Sequence, residues 1–545
     1  MKTADDLGSN DALLKKNFAA VKRETLRITL DGQPMEVRAW RKLVYVANPV
    51  AVDLDKTIIA PWLPPMPFTS GSWQQLSIFA PPNAGDDSPV IFRVDNSGWA
   101  NSPLIEDVVA GRSYVSTSDN DKTGAALKAG FVVVNAGTRS RNLVDTKGKF
   151  PGKAPACVVD AKAAIRFLRL LDGEIPGSSE RIIITGTSGG GALSSIIGAS
   201  GNSPDYYPYL AKTGAAGITN DGRSVIGDDV YGVLAYCPIT DLGNADLAYE
   251  WMYGDSRTRV KNPSDNSPAM RQASKELAAR YPAYLAGLNI GLTADTLPEA
   301  LAAVLTEQVE EVLAKEKSGI RIEPPVPDFG GDFLIKKTVH SDIGASERIE
   351  KIKNNWLRIN RESGKVVNID YRNFLDFVAA CQELKAVPAF DQTAVNGMGD
   401  AVSIMGPPGE SNLFGADEQN YWHFTQFGWD NDDIKNNGTG KDDTGLSWEQ
   451  MLEQTGIAQQ IKLINPLAYL ADKSNGKSAP HWYARVGMID RDTSFAIDME
   501  LYYALLSAPD VNKNNVNFKI AYLQGHAGDY DVQEACEWIA KITKR

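Results

Sequence analysis

Residues 25–30, Thr25-Leu26-Arg27-Ile28-Thr29-Leu30, alternate apolar and polar with a period of two, and Asp31-Gly32 then marks a hairpin turn. Residues 37–40 and 42–46 continue the alternation, and 75–80 end a further strand at Pro81-Pro82. The apolar runs Val90-Ile91-Phe92, Phe131-Val132-Val133-Val134 and Ile182-Ile183-Ile184 do not alternate at all. Short β-branched runs of this kind predict strands buried on both faces. Between the second and third of them, Ala161, Ala164, Ile165, Leu168 and Leu171 recur at helical spacing and predict a crossover helix over 160–171. Tyr231-Gly232-Val233-Leu234-Ala235-Tyr236 predicts another buried strand. Strand–helix–strand alternation of this length predicts an α/β fold built on a mostly parallel, doubly wound sheet.

The pattern changes near residue 255. Residues 272–280 and 297–313 have amphipathic helical periodicity, and Glu311 with Lys315 forms an i, i+4 pair that serves stability only. Residues 322–327, Ile-Glu-Pro-Pro-Val-Pro, form a stiff connector, and 430–443 are rich in Asn, Asp and Gly. Sheet-like patterning resumes at Arg485, with strands expected over 485–489 and 518–523 and a helix beginning at 495. The division expected is therefore a core over 1–254, an inserted, partly helical lid over 255–430, and the rest of the core over 431–545.

The loop after the 182–184 run carries Gly186-Thr187-Ser188-Gly189-Gly190, followed by the small and apolar Ala192-Leu193-Ser194-Ser195-Ile196-Ile197. Strand, G-x-S-x-G and helix in that order are the context of a nucleophile elbow. The serine sits on a tight turn that side chains two before and two after it would block, and Gly186 and Gly190 remove them. Ser188 is then the candidate nucleophile, and the Gly189 N–H can face a developing oxyanion. A second oxyanion donor is expected in the loop after residues 89–94, where Gly98 lets the backbone approach a substrate.

A serine nucleophile needs a base, and the chain has four histidines, His340, His423, His481 and His526. The order Ser, acid, His along an α/β-hydrolase chain selects His526, just past a late strand. His340 and His423 fall in the insertion, and His481 beside Trp482-Tyr483 suits core packing. The acid belongs at the end of the preceding strand, where Asp490 and Asp492 both stand. Asp490, nearer the strand terminus, is the one expected to hold the imidazole Nδ1–H. Asp492 and Ser494 are also reasonable caps for the helix that begins at 495.

Composition adds exclusions. With 545 residues, 43% of them hydrophobic, the chain can bury a large core. A net charge of −12 gives no footing for nucleic acid or an anionic membrane. Cys157, Cys237, Cys381 and Cys536 are scattered without a C-x-x-C pair, so no metal or cofactor is expected, and their redox state stays open. No run approaches the roughly 20 apolar residues of a membrane span. The N-terminus lacks a signal-peptide core, which fits a cytoplasmic protein or an exported one after signal removal.

Gly186–Ser194, Tyr236-Cys237-Pro238-Ile239-Thr240-Asp241-Leu242, Ile489-Asp490-Arg491-Asp492-Thr493-Ser494 and His526-Ala527-Gly528-Asp529-Tyr530-Asp531 together resemble the bacterial tannases. Lys385-Ala386-Val387-Pro388-Ala389-Phe390-Asp391 and Glu410-Ser411-Asn412-Leu413-Phe414-Gly415 are similar to that family's lid, so the resemblance spans most of the chain. It implies a serine esterase acting on galloyl esters, small phenolic molecules, through Ser188, Asp490 and His526. Gly98 and Gly189 would form the oxyanion hole, and Lys385, Glu410 and Asp492 would contact the galloyl ring. Two acceptors and one donor suit three adjacent ring hydroxyls. Residues 386–409 and 201–230 are longer than the family pattern. The fungal enzymes, with cysteines beside serine and histidine, are a poorer match, because Thr187 and Gly525 stand there. The alternative is a feruloyl-, chlorogenate- or general carboxylesterase of the same fold.

Overall fold

The computed structural model describes residues 8–60, 63, 67–260, 267–341, 344–392, 410–432, 438–528 and 530–544. In chain order its strands are β1 (Glu24–Leu30), β2 (Gln33–Val44), β3 (Gln75–Ala80), β4 (Val90–Arg93), β5 (Ser113–Tyr114), β6 (Val132–Ala136), β7 (Ile182–Thr187) and β8 (Gly232–Tyr236). There follow β9 (Asp332–Ser341), β10 (Gly344–Lys353), β11 (Leu357–Asn360), β12 (Lys365–Ile369), β13 (His481–Gly487) and β14 (Val516–Ala521). Ten of them form one sheet in the order β14-β13-β8-β7-β4-β6-β3-β2-β1-β5. The strands from β14 to β6 in that order pair in parallel, and β3, β2 and β1 extend the sheet antiparallel. The non-alternating runs are the central strands: all five residues of β6 and all of β8 are buried. The crossover helix, Ala156–Leu170, is buried along nearly its whole length, consistent with a helix enclosed between the sheet and further chain.

Three strand boundaries differ from expectation. Residues 37–40 and 42–46 belong to one strand, β2, whose register shifts between Trp40 and Leu43. There Lys42 has φ 57° and its N–H donates to Ser77 Oγ at 3.0 Å. β13 begins at His481 and stops at Gly487, so Met488 and Ile489 lie beyond it. A Cβ at Gly487 would meet the carbonyl oxygens of Gln524 and Gly525, both at 2.3 Å. The following loop crosses there, and the N–H groups of Met488 and Ile489 donate to Ala521 and Gln524. β14 starts two residues before the apolar run and ends at Ala521, ahead of Leu523 at φ 51°.

The main sheet is left after β8 and resumed at β13. The helix Leu242–Val260 runs across the expected division at 254/255, and helices Pro268–Gly287 and Leu297–Lys317 extend those anticipated from periodicity. The antiparallel pairs β9/β10 and β11/β12 went unforeseen. Charged residues such as those of Glu347-Arg348-Ile349-Glu350-Lys351 leave little apolar alternation there, and Ile349 and Val367 stand exposed. Residues 393–409, within the stretch noted as long, lie outside the described residues, as do 433–437 of the Asn/Asp-rich loop and Asp529 of the His526 segment.

Candidate active site

Ser188 terminates β7 with φ 63° and ψ −122°, a conformation that a non-glycine residue holds only when its surroundings enforce it. The enforcement is visible. Its N–H donates to the Tyr236 carbonyl at 2.9 Å, and its own carbonyl accepts from Ile239 N at 3.3 Å. A Cβ at Gly186 would lie 2.4 Å from Gly190 O, and one at Gly190 would lie 2.9 Å from Val94 O. The helix Gly189–Ala199 starts on the next residue, so the Gly189 N–H is one of the first-turn donors that no intrahelical carbonyl accepts. Ser188 itself is 7% exposed.

His526, in the loop after β14, comes to Ser188 across 338 residues of sequence: its Nε2 is 2.8 Å from Ser188 Oγ. Its Nδ1 is 2.8 Å from Asp490 Oδ2. Asp490 lies just past β13 and is 1% exposed; its other oxygen accepts the Asp492 N–H at 2.8 Å. Asp492 Oδ2 is 3.9 Å from the same Nδ1, and its carboxylate lies 3.3 Å from Arg491 Nη1. The two aspartates thus differ in distance, with Asp490 the hydrogen-bonded one. The Asp492 carboxylate lies near both the imidazole and Arg491. Ser494 occupies the N-cap position of the helix Phe495–Ser507 without a capping hydrogen bond.

Burial opposes the imidazolium of His526, but Asp490, through charge and hydrogen bond, and then Asp492 outweigh it and raise its pKa above 6.5. Lys385 acts on the same imidazole in the opposite sense, which puts its ammonium near the site. Burial likewise opposes the Asp490 carboxylate, and His526 with the Asp492 N–H more than reverse this, holding it below the usual range.

The turn Ser97–Trp99 closes the other side. Gly98 has φ 62°, a left-handed conformation suited to glycine. A Cβ at Gly189 would meet Asn96 O and Trp99 N, each at 2.3 Å, so this turn packs directly on the start of the serine's helix. Asn96 is fully buried and pins the turn, donating to Ala100 O at 2.8 Å and accepting from Thr138 Oγ1 at 2.8 Å.

Lys385 and Glu410 are both anchored through their backbones. Lys385 N donates to Tyr249 Oη at 3.0 Å, and the Lys385 carbonyl accepts from Arg257 Nε at 3.2 Å; both partners stand on the helix Leu242–Val260. The Lys385 ammonium lies 4.1 Å from the centroid of the Phe390 ring. Glu410 is 9% exposed, with the Arg141 guanidinium close enough to feel its charge, and its N–H donates to Phe390 O at 3.0 Å.

Solved structures of similar architecture cover nearly the whole chain. The tannin acyl hydrolase from Lactobacillus plantarum is 26% identical, with a TM-score of 0.68 over 96% of this chain and 97% of that one. The Fusobacterium nucleatum tannase is 28% identical, with a TM-score of 0.68 over 96% and 98%. A tannin acyl hydrolase solved in complex with ethyl gallate is 26% identical, with a TM-score of 0.67 over 96% and 97%. The BD-FAE family matches residues 76–267. No curated protein matches the chain.

The chain has the α/β-hydrolase fold of the bacterial tannases.

It is a carboxylic ester hydrolase, and 96% of its length aligns with the tannase architecture. Two features of this tannase-type site were not assigned a role from sequence. Cys237 lies beside the His526–Asp490 pair, its Sγ, an Asp490 carboxylate oxygen and a His526 ring nitrogen all within 4.8 Å of one another. Its thiol, fully buried, donates to Ala527 O at 3.2 Å. The signal available was its place in the Tyr236–Leu242 motif. The second is Asp391, at the end of the Lys385–Asp391 motif, which His423 approaches from 32 residues away. His481 packs against the Tyr231 ring, centroids 4.8 Å apart, but is only half-buried at the start of β13, not in the core. All four cysteines are free thiols. Among the described residues no helix is long and apolar enough to cross a membrane.

Proposed function

We propose that this tannase-type hydrolase cleaves galloyl esters through an acyl-enzyme on Ser188. The observation that carries the reading is the relay from Ser188 Oγ to His526 Nε2 and from Nδ1 to Asp490, each link 2.8 Å. Ser188 Oγ attacks the ester carbonyl carbon as His526 Nε2 takes its proton, and Asp490 holds the tautomer that leaves Nε2 free to accept. The oxyanion that forms is met by the N–H groups of Gly189 and Gly98. As the C–O bond breaks, Nε2 returns the proton to the departing alcohol. Water then attacks the galloyl-serine with His526 again as base, releasing gallic acid and restoring Ser188.

Ring recognition belongs to the lid side in this reading. Lys385 donates to the galloyl hydroxyls, and Glu410 and Asp492 accept from them. A site built to satisfy hydroxyls rejects rings lacking them, because its own buried polar groups are then left without partners. Two of the relatives, one solved with ethyl gallate bound and another with 3,4-dihydroxybenzoate, support a phenolic acyl group here. The test is hydrolysis of methyl gallate against methyl ferulate by the purified protein. Methyl gallate should be preferred in kcat/KM; preference for the ferulate would move the assignment to a feruloyl esterase.

A further inference from the structure

Lys385 and Glu410 stand 25 residues apart in sequence (410 − 385), and something must hold their two charged ends at one spacing. The chemistry that does so converges on Asp391. Its side chain is wholly buried. Oδ1 accepts from Ser411 Oγ at 2.7 Å and lies 2.8 Å from His423 Nδ1. Oδ2 accepts from Phe424 N at 3.0 Å, Thr425 N at 2.9 Å and Thr425 Oγ1 at 2.7 Å. The fit leaves no slack: a Cβ at Gly428 would stand 2.2 Å from Oδ2. The backbone around it is anchored too, with the N–H groups of Phe390 and Asp391 donating to the Asp246 carboxylate at 2.8 and 3.0 Å.

Two of these links reach a proposed ring contact by one further step. Phe390, next to Asp391, lies under the Lys385 ammonium and its carbonyl accepts the Glu410 N–H. Ser411, bonded to Oδ1, follows Glu410. His423 is 1% exposed and lies between two carboxylates, with Asp432 Oδ1 3.5 Å from its Nε2. Burial opposes its charge, but Asp391 and then Asp432 raise its pKa to about 9, so the imidazole is cationic at neutral pH. A buried carboxylate with a cationic partner and this many donors is held in place, because any displacement breaks several charge-assisted hydrogen bonds that no water replaces.

We propose that Asp391 and His423 are positioning residues for ester selectivity: without touching substrate, the pair fixes the spacing between the Lys385 ammonium and the Glu410 carboxylate. The proposal rests on the ring-recognition reading above.

The test compares kcat/KM for methyl gallate and methyl benzoate, whose acyl rings differ only in hydroxyls, in wild type and in His423→Ala, His423→Asn, Asp391→Asn and Ser411→Ala. The ratio of the two is independent of how much of each preparation is folded. His423→Ala and Asp391→Asn should lower the gallate-to-benzoate ratio about tenfold or more, mainly through KM for the gallate. His423→Asn keeps an N–H that can donate to Asp391 and should recover part of the ratio. Ser411→Ala, which removes one bond, should lower it about threefold and covers the case in which the others do not fold. A wild-type preference for the gallate that survives in every variant that folds overturns the positioning role and leaves ring recognition standing. A wild type without that preference refutes ring recognition itself, and the positioning role with it.

Discussion

Asp490 and Asp492 both face the same imidazole nitrogen, and replacing each by asparagine separates what they do. Asp490 Oδ2 is 2.8 Å from His526 Nδ1 and Asp492 Oδ2 is 3.9 Å away. With an effective dielectric constant of about 20, a unit charge at those distances attracts the imidazolium by roughly 6 and roughly 4 kcal/mol before solvent screening. Asp490 is almost wholly buried whereas a quarter of the Asp492 side chain is exposed, so screening widens the gap. Asp490→Asn removes the stronger of the two attractions and also offers Nδ1 an amide that can turn either face to it, so the useful tautomer is no longer enforced. The combined loss should be about 10⁴-fold in kcat, equivalent to roughly 5 kcal/mol of barrier, on every ester tested. Asp492→Asn should cost no more than about tenfold on p-nitrophenyl acetate and considerably more on methyl gallate, since in the proposed function it also meets a ring hydroxyl. Steady-state kinetics of both variants on both esters decide the matter. If Asp492→Asn abolishes aryl acetate hydrolysis while Asp490→Asn spares it, the assignment of the acid is wrong.

Three further outcomes follow from the same geometry. Ser188→Ala should lose at least roughly 10³-fold in kcat, since attack is removed while binding is kept; turnover near wild type would refute the nucleophile. Lys385→Ala and Glu410→Ala should each lose about 1.5–3 kcal/mol, roughly 10- to 100-fold in kcat/KM, on methyl gallate, and distinctly less on p-nitrophenyl acetate, whose acyl group has no ring; equal small effects on both would make them surface charges of the lid. The base must be neutral to act, and its pKa is raised above 6.5, so kcat/KM should fall as pH drops through a value above 6.5. Asp490→Asn removes the chief raising charge and should move that limb to lower pH, whereas Lys385→Ala removes a lowering charge and should move it higher; a limb unmoved in both would mean that His526 is not the titrating group.

The parts of this molecule that sequence reveals are those where one local rule dominates. Buried parallel strands must be apolar on both faces, so β6, β7 and β8 stand out as unbroken runs, and a strained turn must shed side chains, so Gly186 and Gly190 expose Ser188. Chain order then leads from Ser188 to His526, and the strand before it to Asp490. The insertion between β8 and β13 follows no such rule. β10 carries charge at five of its ten positions, which blurs its apolar periodicity, whereas in β9 a period-two signal is present over only four residues, Phe333 and Ile335 buried and Leu334 and Lys336 exposed, too short to stand out in the sequence. β13 ends at Gly487 because a loop from 37 residues later crosses it (524 − 487), a constraint set wholly by tertiary contact. The pairing of Asp391 with His423 is invisible for the same reason. An aspartate after Phe390 and a histidine after Trp422 are ordinary in sequence, and only the fold brings them within 2.8 Å inside the protein. Chemistry carried by a motif on the sheet is therefore legible residue by residue. Chemistry that depends on the spacing of charges across an insertion is not, because that spacing is a property of how segments far apart in the chain close on one buried carboxylate. This is why selectivity should respond to substitution of His423, which lies in none of the motifs.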